Sequence, residues 1–340
     1  MPIGDGQHFV ILGRPESGYS VKVRSAMRYK GLPHEWLDRC LGTNKLFQAH
    51  ASVQLIPLVF LPDGEAMQDS TPIIELLEER QPAPSVHPEE PATRFLSILL
   101  EEYGDEWANK LMFHHRWGYP ADQRVRSKTL ARGMMDGHPI RFLAPVLVPI
   151  ASRFMVRRMI PRMAFAGANE NNAPLLIESF HTLIGMLEAH LSSRQYIFGA
   201  RPAFGDFGLW GQLYQAFIDP TCGAYIRANA PATCRWLDLM LDPMPQGPFE
   251  SLASLEETLR PIFAKEIGPR FLAWDAANSR AWKADEKETE LEIDGRRYYQ
   301  RTFKYPAGNF ETLRETYAAV SDDPGLARFL EETGCRAHLA

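Results

Sequence analysis

The chain has 340 residues, enough for two or three domains that each bury a core. Hydrophobic residues make up 45% and charged residues 23%, a globular balance that excludes a disordered chain. The net charge of −5 argues against a general affinity for nucleic acid, which is not expected as a partner.

Residues 7–80 alternate between strand and helix signals. The run Phe9-Val10-Ile11-Leu12 ends at Gly13 and reads as a buried strand. Residues 17–30 read as a helix stopped by Gly31, and 34–38 as a second strand. A variable stretch precedes a third strand at 56–61. The turn Pro62-Asp63-Gly64 hairpins it to a fourth at 65–68, and 70–80 form a second clear helix. The order β-α-β-(variable)-β-β-α predicts a small α/β domain.

Four prolines within 81–91 mark a semi-rigid linker and the first domain boundary. Beyond it, up to about 240, no strand signal appears. Leu96, Leu99, Tyr103, Trp107 and Leu111 recur at helical spacing, as do Leu175, Leu176, Phe180, Leu183, Ile184, Leu187 and Leu191, so 92–245 is expected to be an all-α bundle. Residues 241–250 are a second breaker segment. A helix at 252–280, a hairpin at 288–303 and a last helix at 309–333 follow, together an α + β-hairpin extension over 252–340. The Asp294-Gly295 turn sets the hairpin register: Ile293 opposite Arg296, Glu292 opposite Arg297, Leu291 opposite Tyr298 and Glu288 opposite Arg301. An isolated hairpin is marginal in water, so the extension is expected to pack on the helical domain.

The four cysteines, Cys40, Cys222, Cys234 and Cys335, form no C-x-x-C pair and no zinc-type cluster with histidine, so neither a disulfide framework nor a metal is expected. Residues 1–6 lack a basic and apolar leader, and the apolar run near 142–151 is interrupted by Pro145 and Pro149. The cytoplasm is the expected location.

Three places carry candidate chemistry. Ser17 opens the first helix, where unpaired backbone N–H groups and the positive end of the helix dipole either receive a cap or stabilise an anion. Ile56-Pro57 opens a strand and is either a strand-edge proline or a cis bond that leaves the Ile56 backbone free for an extended ligand. Asp69-Ser70 opens the next helix, where both are caps, or Ser70 and the N–H groups hold a carboxylate while Asp69 holds an ammonium.

In this order, these motifs resemble the glutathione transferase superfamily, with a thioredoxin-like first domain over 7–80. The stretch Tyr196-Ile197-Phe198-Gly199-Ala200-Arg201-Pro202-Ala203-Phe204-Gly205-Asp206 is similar to the capping motif of that family's helical domain. The resemblance implies a glutathione transferase of the serine type, acting with glutathione as co-substrate on a small-molecule electrophile, as a homodimer. It implies Ser17 as the group on the sulfur, Ile56 and Pro57 on the cysteinyl part, and Asp69 and Ser70 on the γ-glutamyl end. Gly18 stands where a proline often follows the catalytic position, which leaves Tyr19 and Ser20 as alternatives to Ser17. Ala203 stands in place of the capping hydroxyl, leaving Asp206 to cap. Serine cannot form a mixed disulfide, so attack by the glutathione sulfur is favoured over disulfide exchange. Tyr103, Trp107, Phe113, His114 and Trp117, on the first helix after the linker, are the expected electrophile pocket. The competing reading is a non-catalytic protein that keeps the fold for binding or scaffolding.

One stretch lies outside the resemblance. Residues 123–169 hold Arg124, Arg126, Lys128, Arg132, Arg141, Arg153, Arg157, Arg158 and Arg162 together with five methionines. This is either a solvated basic face over a Met-rich core, or an anionic-substrate mouth, or a membrane-surface contact through 141–163.

Overall fold

The computed structural model describes every residue except Met1, Pro2 and Asp5; the leaderless reading of 1–6 therefore lies partly outside the described residues. The chain folds as a thioredoxin-like α/β domain, a helical domain and a C-terminal segment of helices and one hairpin.

The α/β domain runs β1 (Phe9–Gly13), α1 (Gly18–Tyr29), β2 (His34–Asp38), α2 (Asn44–His50), β3 (Leu58–Phe60), β4 (Ala66–Gln68) and α3 (Ser70–Arg80). The sheet order is β2-β1-β3-β4, with β1 and β2 parallel and the other pairs antiparallel. All five residues of β1 are buried because α1 and α3 cover one face and Phe47 of α2 sits on the other. The variable stretch of the sequence is the short helix α2. The segment 81–91 is docked rather than free: the Tyr29 hydroxyl donates to the Ser85 carbonyl at 3.1 Å, and the Phe204 amide donates to the Val86 carbonyl at 2.8 Å.

The helical domain opens with α4 (Pro91–Tyr103), which passes through a π turn (Gly104–Ala108) into α5 (Asn109–Gly118). Then come α6 (Pro120–Met134), a 3-10 turn (Pro139–Leu143), α7 (Ala144–Phe165), α8 (Ala173–Leu191), α9 (Phe204–Phe217), α10 (Pro220–Asn229) and α11 (Pro231–Leu239). Helix α9 is central, crossing both α1 and α4 closely. A Cβ on Gly104 would lie 2.5 Å from the backbone of Gly208 and Leu209, so only glycine permits this crossing. Asp206 fixes the start of α9. Its carboxylate accepts from the Ala203 amide at 2.9 Å, the Ile197 amide at 2.8 Å and the Trp236 indole at 2.9 Å, so the acid alone supplies the cap where Ala203 has no side-chain acceptor.

The C-terminal segment begins with α12 (Leu252–Ile262), a π-helical stretch (Phe263–Leu272) and α13 (Ala273–Lys283). The hairpin β5 (Glu288–Ile293) and β6 (Arg296–Arg301) follows, with the register expected from its turn. Asp294 and Gly295 both have positive φ, as a tight two-residue turn requires. The charge pairing differs from the expected directly opposed pairs: Arg297 Nε bonds Glu290 Oε1 diagonally at 2.5 Å, and Arg296 reaches Glu178 of α8 at 2.9 Å. The last helix of the sequence reading is three: α14 (Lys304–Ala318), α15 (Pro324–Glu332) and α16 (Arg336–Leu339), because Pro324 starts a new helix after the turn at Asp322 and Asp323. The segment lies against α4 and α8. Ser179 and Tyr103 donate to Glu266, and Asn169 and Asn172 donate to the Tyr299 carbonyl.

Candidate functional site

The loop between β1 and α1 is held from outside its own domain. Gln215 Nε2 of α9 donates to the Pro15 carbonyl at 2.8 Å, and Arg116 of α5 donates to the Glu16 carbonyl at 3.1 Å. Arg116 is itself buried and paired with Asp219 at 2.7 Å. This fixes Ser17, the N-cap of α1. Its Oγ accepts from the Ser20 amide at 3.3 Å. Accepting uses an oxygen lone pair, so the hydroxyl proton stays available to donate to an anion at the positive end of the helix.

The two alternative hydroxyls are placed differently. The Tyr19 hydroxyl donates to the Asp105 carbonyl at 2.9 Å and accepts from Asn109, and burial pushes its pKa well up, with repulsion from Asp105 and Glu106 adding to it. It is a pin between α1 and the π turn. Ser20 is buried, and a Cβ on Gly13 would meet its side chain at 2.8 Å, so Ser20 packs on the back of β1. The Gly18 departure has a packing reason: a Cβ there would lie 2.7 Å from the Gln212 side chain of α9.

Ile56–Pro57 is cis, one of the two alternatives that the sequence left open. No hydrogen bond joins the Ile56 backbone to another described residue, whereas the loop before it is stapled by Gln68, whose amide donates to the Val53 and Leu55 carbonyls at 2.9 and 2.7 Å. Asp69, at positive φ, caps α3 through Thr71, and its second carboxylate oxygen accepts from the Tyr305 hydroxyl of α14. Ser70 is buried. Its Oγ accepts from Lys22 Nζ at 3.3 Å and faces Asp105 Oδ2 at 3.5 Å. Ser70 therefore reaches a charge network rather than open solvent.

That network escaped the sequence reading. Lys22 of α1 is fully buried and bonds Ser70, Thr71, Glu101 and, at 2.7 Å, Asp105. One ammonium cannot balance two carboxylates in a dry interior. Burial pushes the Asp105 carboxyl up to about 8; Lys22 pulls it down, while Glu101 repels it upward. For Lys22 burial opposes the charge, but the two acids outweigh it, and its pKa is raised. Further along the same helix burial raises Glu106 to about 7 and lowers Lys110 to about 7. The available signal was a lysine within the buried side of α1 and four acids at 101, 102, 105 and 106 on an otherwise apolar helix.

The expected electrophile pocket is not assembled as a group. Tyr103 and Trp107 are fully buried and face the C-terminal segment: Tyr103 bonds Glu266 and packs on Phe271, and Trp107 bonds Ser179 and packs on Trp274 and Tyr298. The extension fills the face they were expected to open to a substrate. His114 and Trp117 are buried two to three turns later, with burial lowering the His114 pKa to about 4, so this imidazole is neutral at pH 7. Phe113 is half-buried beside Trp117. Among the described residues no group of three or more His, Cys, Asp or Glu is placed to hold a metal.

Comparison with known proteins bears on this arrangement. Residues 12–85 match the family model of the glutathione S-transferase N-terminal domain. A probable glutathione S-transferase of Zea mays, BZ2, is 33% identical over 72 residues, 20% of this chain and 30% of that protein, so the match spans under a third of that relative. Similar solved structures include the beta-etherase LigF from Sphingobium sp. strain SYK-6, at 17% identity with 74% of this chain and 98% of that chain covered (TM-score 0.44). A glutathione S-transferase from Rhodospirillum rubrum is similar at 20% identity, with 77% and 94% covered (TM-score 0.44). Residues 12–85, which carry Ser17, Ile56, Asp69 and Ser70, match the glutathione S-transferase N-terminal domain, and the rest of the chain lies outside that match.

Proposed function

We propose that the chain is a glutathione transferase that activates the glutathione thiol for attack on a small apolar electrophile, in the cytoplasm and as a homodimer. The observation that carries the reading is Ser17: a helix-start hydroxyl with its proton uncommitted, inside the matched N-terminal domain. Glutathione lies along the unpaired Ile56 backbone, with its γ-glutamyl end towards Asp69 and the first turn of α3. The Ser17 O–H and the α1 N-terminus then favour the thiolate over the thiol. The sulfur attacks the electrophile, the new carbon–sulfur bond forms, and the released charge leaves with the leaving group or is protonated by solvent.

The test is the pH–rate profile of a generic chromogenic electrophile with the full chain and with Ser17→Ala. Loss of such a donor lowers the rate by about 10²–10³ and raises the apparent thiol pKa. An unchanged rate and profile would remove Ser17 from the chemistry.

A second reading is favoured by one observation: the Ser70 hydroxyl and the Asp69 carboxylate already have partners inside the chain, Lys22 and Tyr305. On that reading the fold serves for binding or scaffolding without turnover. Retention on immobilised glutathione with no turnover supports it; retention with turnover supports the enzyme.

A further inference from the structure

Helices α6 and α7 form an arm with two unlike faces. Their inner faces meet in a small cluster of Ala131, Met135 and Val148, separate from the main core. The outer face carries a row at four-residue spacing, Phe142, Val146, Ile150 and Phe154, exposed by 77, 65, 61 and 64%. One helical stripe therefore presents four large apolar side chains to solvent, which a soluble surface rarely does.

The same arm is basic. Arg153, Arg157, Arg158 and Arg162 on α7, and Arg124, Lys128 and Arg132 on α6, are exposed. Among the described residues none of the seven is in an ion pair; the paired cations of the arm are Arg126, buried on Asp219, and Arg141, on Asp136. Between the two helices runs a groove of about 630 Å³ lined by Arg124, Lys128, Arg153 and Arg157.

We propose that this arm docks on an anionic phospholipid surface, with the apolar row in the boundary between headgroups and acyl chains and headgroup phosphates in the basic groove. An amphipathic helix of this kind lies in the plane of the interface, its apolar side immersed and its arginines at the headgroups. Within Pro139–Phe165 an 18-residue window has a mean hydropathy of 1.4, long and apolar enough for a helix to cross a membrane. Crossing would strip α7 from α6, and the whole stretch holds five arginines, Arg141, Arg153, Arg157, Arg158 and Arg162, whereas lying flat keeps the contact with α6 and leaves the arginines at the headgroups. A second copy fits less well: the one acid between 123 and 169 is Asp136, already paired with Arg141, so pairing this face with itself offers no acid to its seven exposed cations. The arm also borders the candidate site, since Arg14 donates to the Leu130 carbonyl and the Leu41 amide to the Met134 carbonyl. The proposal is independent of the glutathione reading.

The test is co-sedimentation of the full chain with phosphatidylcholine vesicles made with and without phosphatidylserine, at low and high salt. Binding is expected to vesicles containing phosphatidylserine only, and to be lost at high salt. Ile150→Glu with Phe154→Glu is expected to abolish it with an unchanged thermal melt, because both side chains are exposed. Arg153→Ala and Arg157→Ala are each expected to weaken it by about fivefold. Absence of binding to phosphatidylserine vesicles, or equal binding by the double glutamate variant, overturns the proposal. A wild-type dimer in sedimentation velocity that the glutamate variant breaks, without lipid binding, also overturns it and makes the face a contact between copies.

Discussion

Asp206 and Asp105 are both buried acids on or beside central helices, and the number of donors around each gives them opposite roles. Asp206 receives three N–H groups, so its removal leaves the Ala203 and Ile197 amides and the Trp236 indole unsatisfied in the core. Each buried orphan costs about 1–3 kcal/mol, so Asp206→Ala is expected to lower the unfolding free energy by at least about 3 kcal/mol in urea titration. A loss below about 1 kcal/mol would mean that water replaces the carboxylate. Asp105 shares one ammonium with Glu101, and burial raises it to about 8, against about 3.9 in an unfolded chain. Between those values the native state keeps a proton that the unfolded state has released, so stability falls as pH rises through that window and levels off above about 8. Asp105→Asn is never charged and is expected to flatten the melting temperature between about pH 5 and about pH 8. An equal slope in the variant would show Asp105 ionised at neutral pH. Of these two residues, only the first was legible in the sequence. A capping aspartate sits three positions from the helix start it serves, while Asp105 and Lys22 are 83 positions apart and meet only through helix packing.

At the scale of elements, the contact of α1 with α9 decides what the Ser17 loop looks like. The glycine after Ser17 reads in the sequence as a departure from a proline. In the fold it is the point where α9 comes closest, with Gln212 filling the space of the missing Cβ. Gly18→Ala is expected to destabilise the chain by about 1–3 kcal/mol through overpacking. Gln212 is buried with no hydrogen-bond partner for its amide among the described residues, so Gln212→Ala in the same chain should recover most of that loss. Additive effects in the double variant would place the strain elsewhere. The hairpin makes the contrasting case. Its register was readable from Asp294-Gly295, because turn geometry is local, and the ladder follows it pair by pair. Its charges were not readable: Arg296 turns away from the ladder to Glu178, which Arg270 of the π-helical stretch also binds, and Arg270 reaches Asp294 as well, which ties the turn to the π-helical stretch and to α8.

At the scale of the whole molecule, the C-terminal segment completes the core of the helical domain. Phe263, Ile267, Phe271 and Trp274 are fully buried, and Phe271 and Trp274 cover Tyr103 and Trp107. Burying one such side chain contributes about 1.5–3 kcal/mol, so a chain ending at residue 250 is expected to aggregate or melt far below the full chain, and fragment 251–340 to be unfolded alone. Co-expression should return a soluble complex of the two. Two fragments that each fold cooperatively and do not associate would instead be independent units. Sequence alone determined the alternation of strands and helices over 7–80, the helical character of the middle, the cap at Asp206 and the hairpin turn, because each is set by dihedral preferences, periodicity or a hydrogen bond a few residues long. Tertiary structure alone decided which aromatic residues of the helix after the linker face a neighbour instead of a ligand, which acids share Lys22, and that α7 leaves its apolar row uncovered. Those outcomes depend on which distant element covers a helix face, and periodicity shows that a face is apolar without showing what, if anything, lies on it.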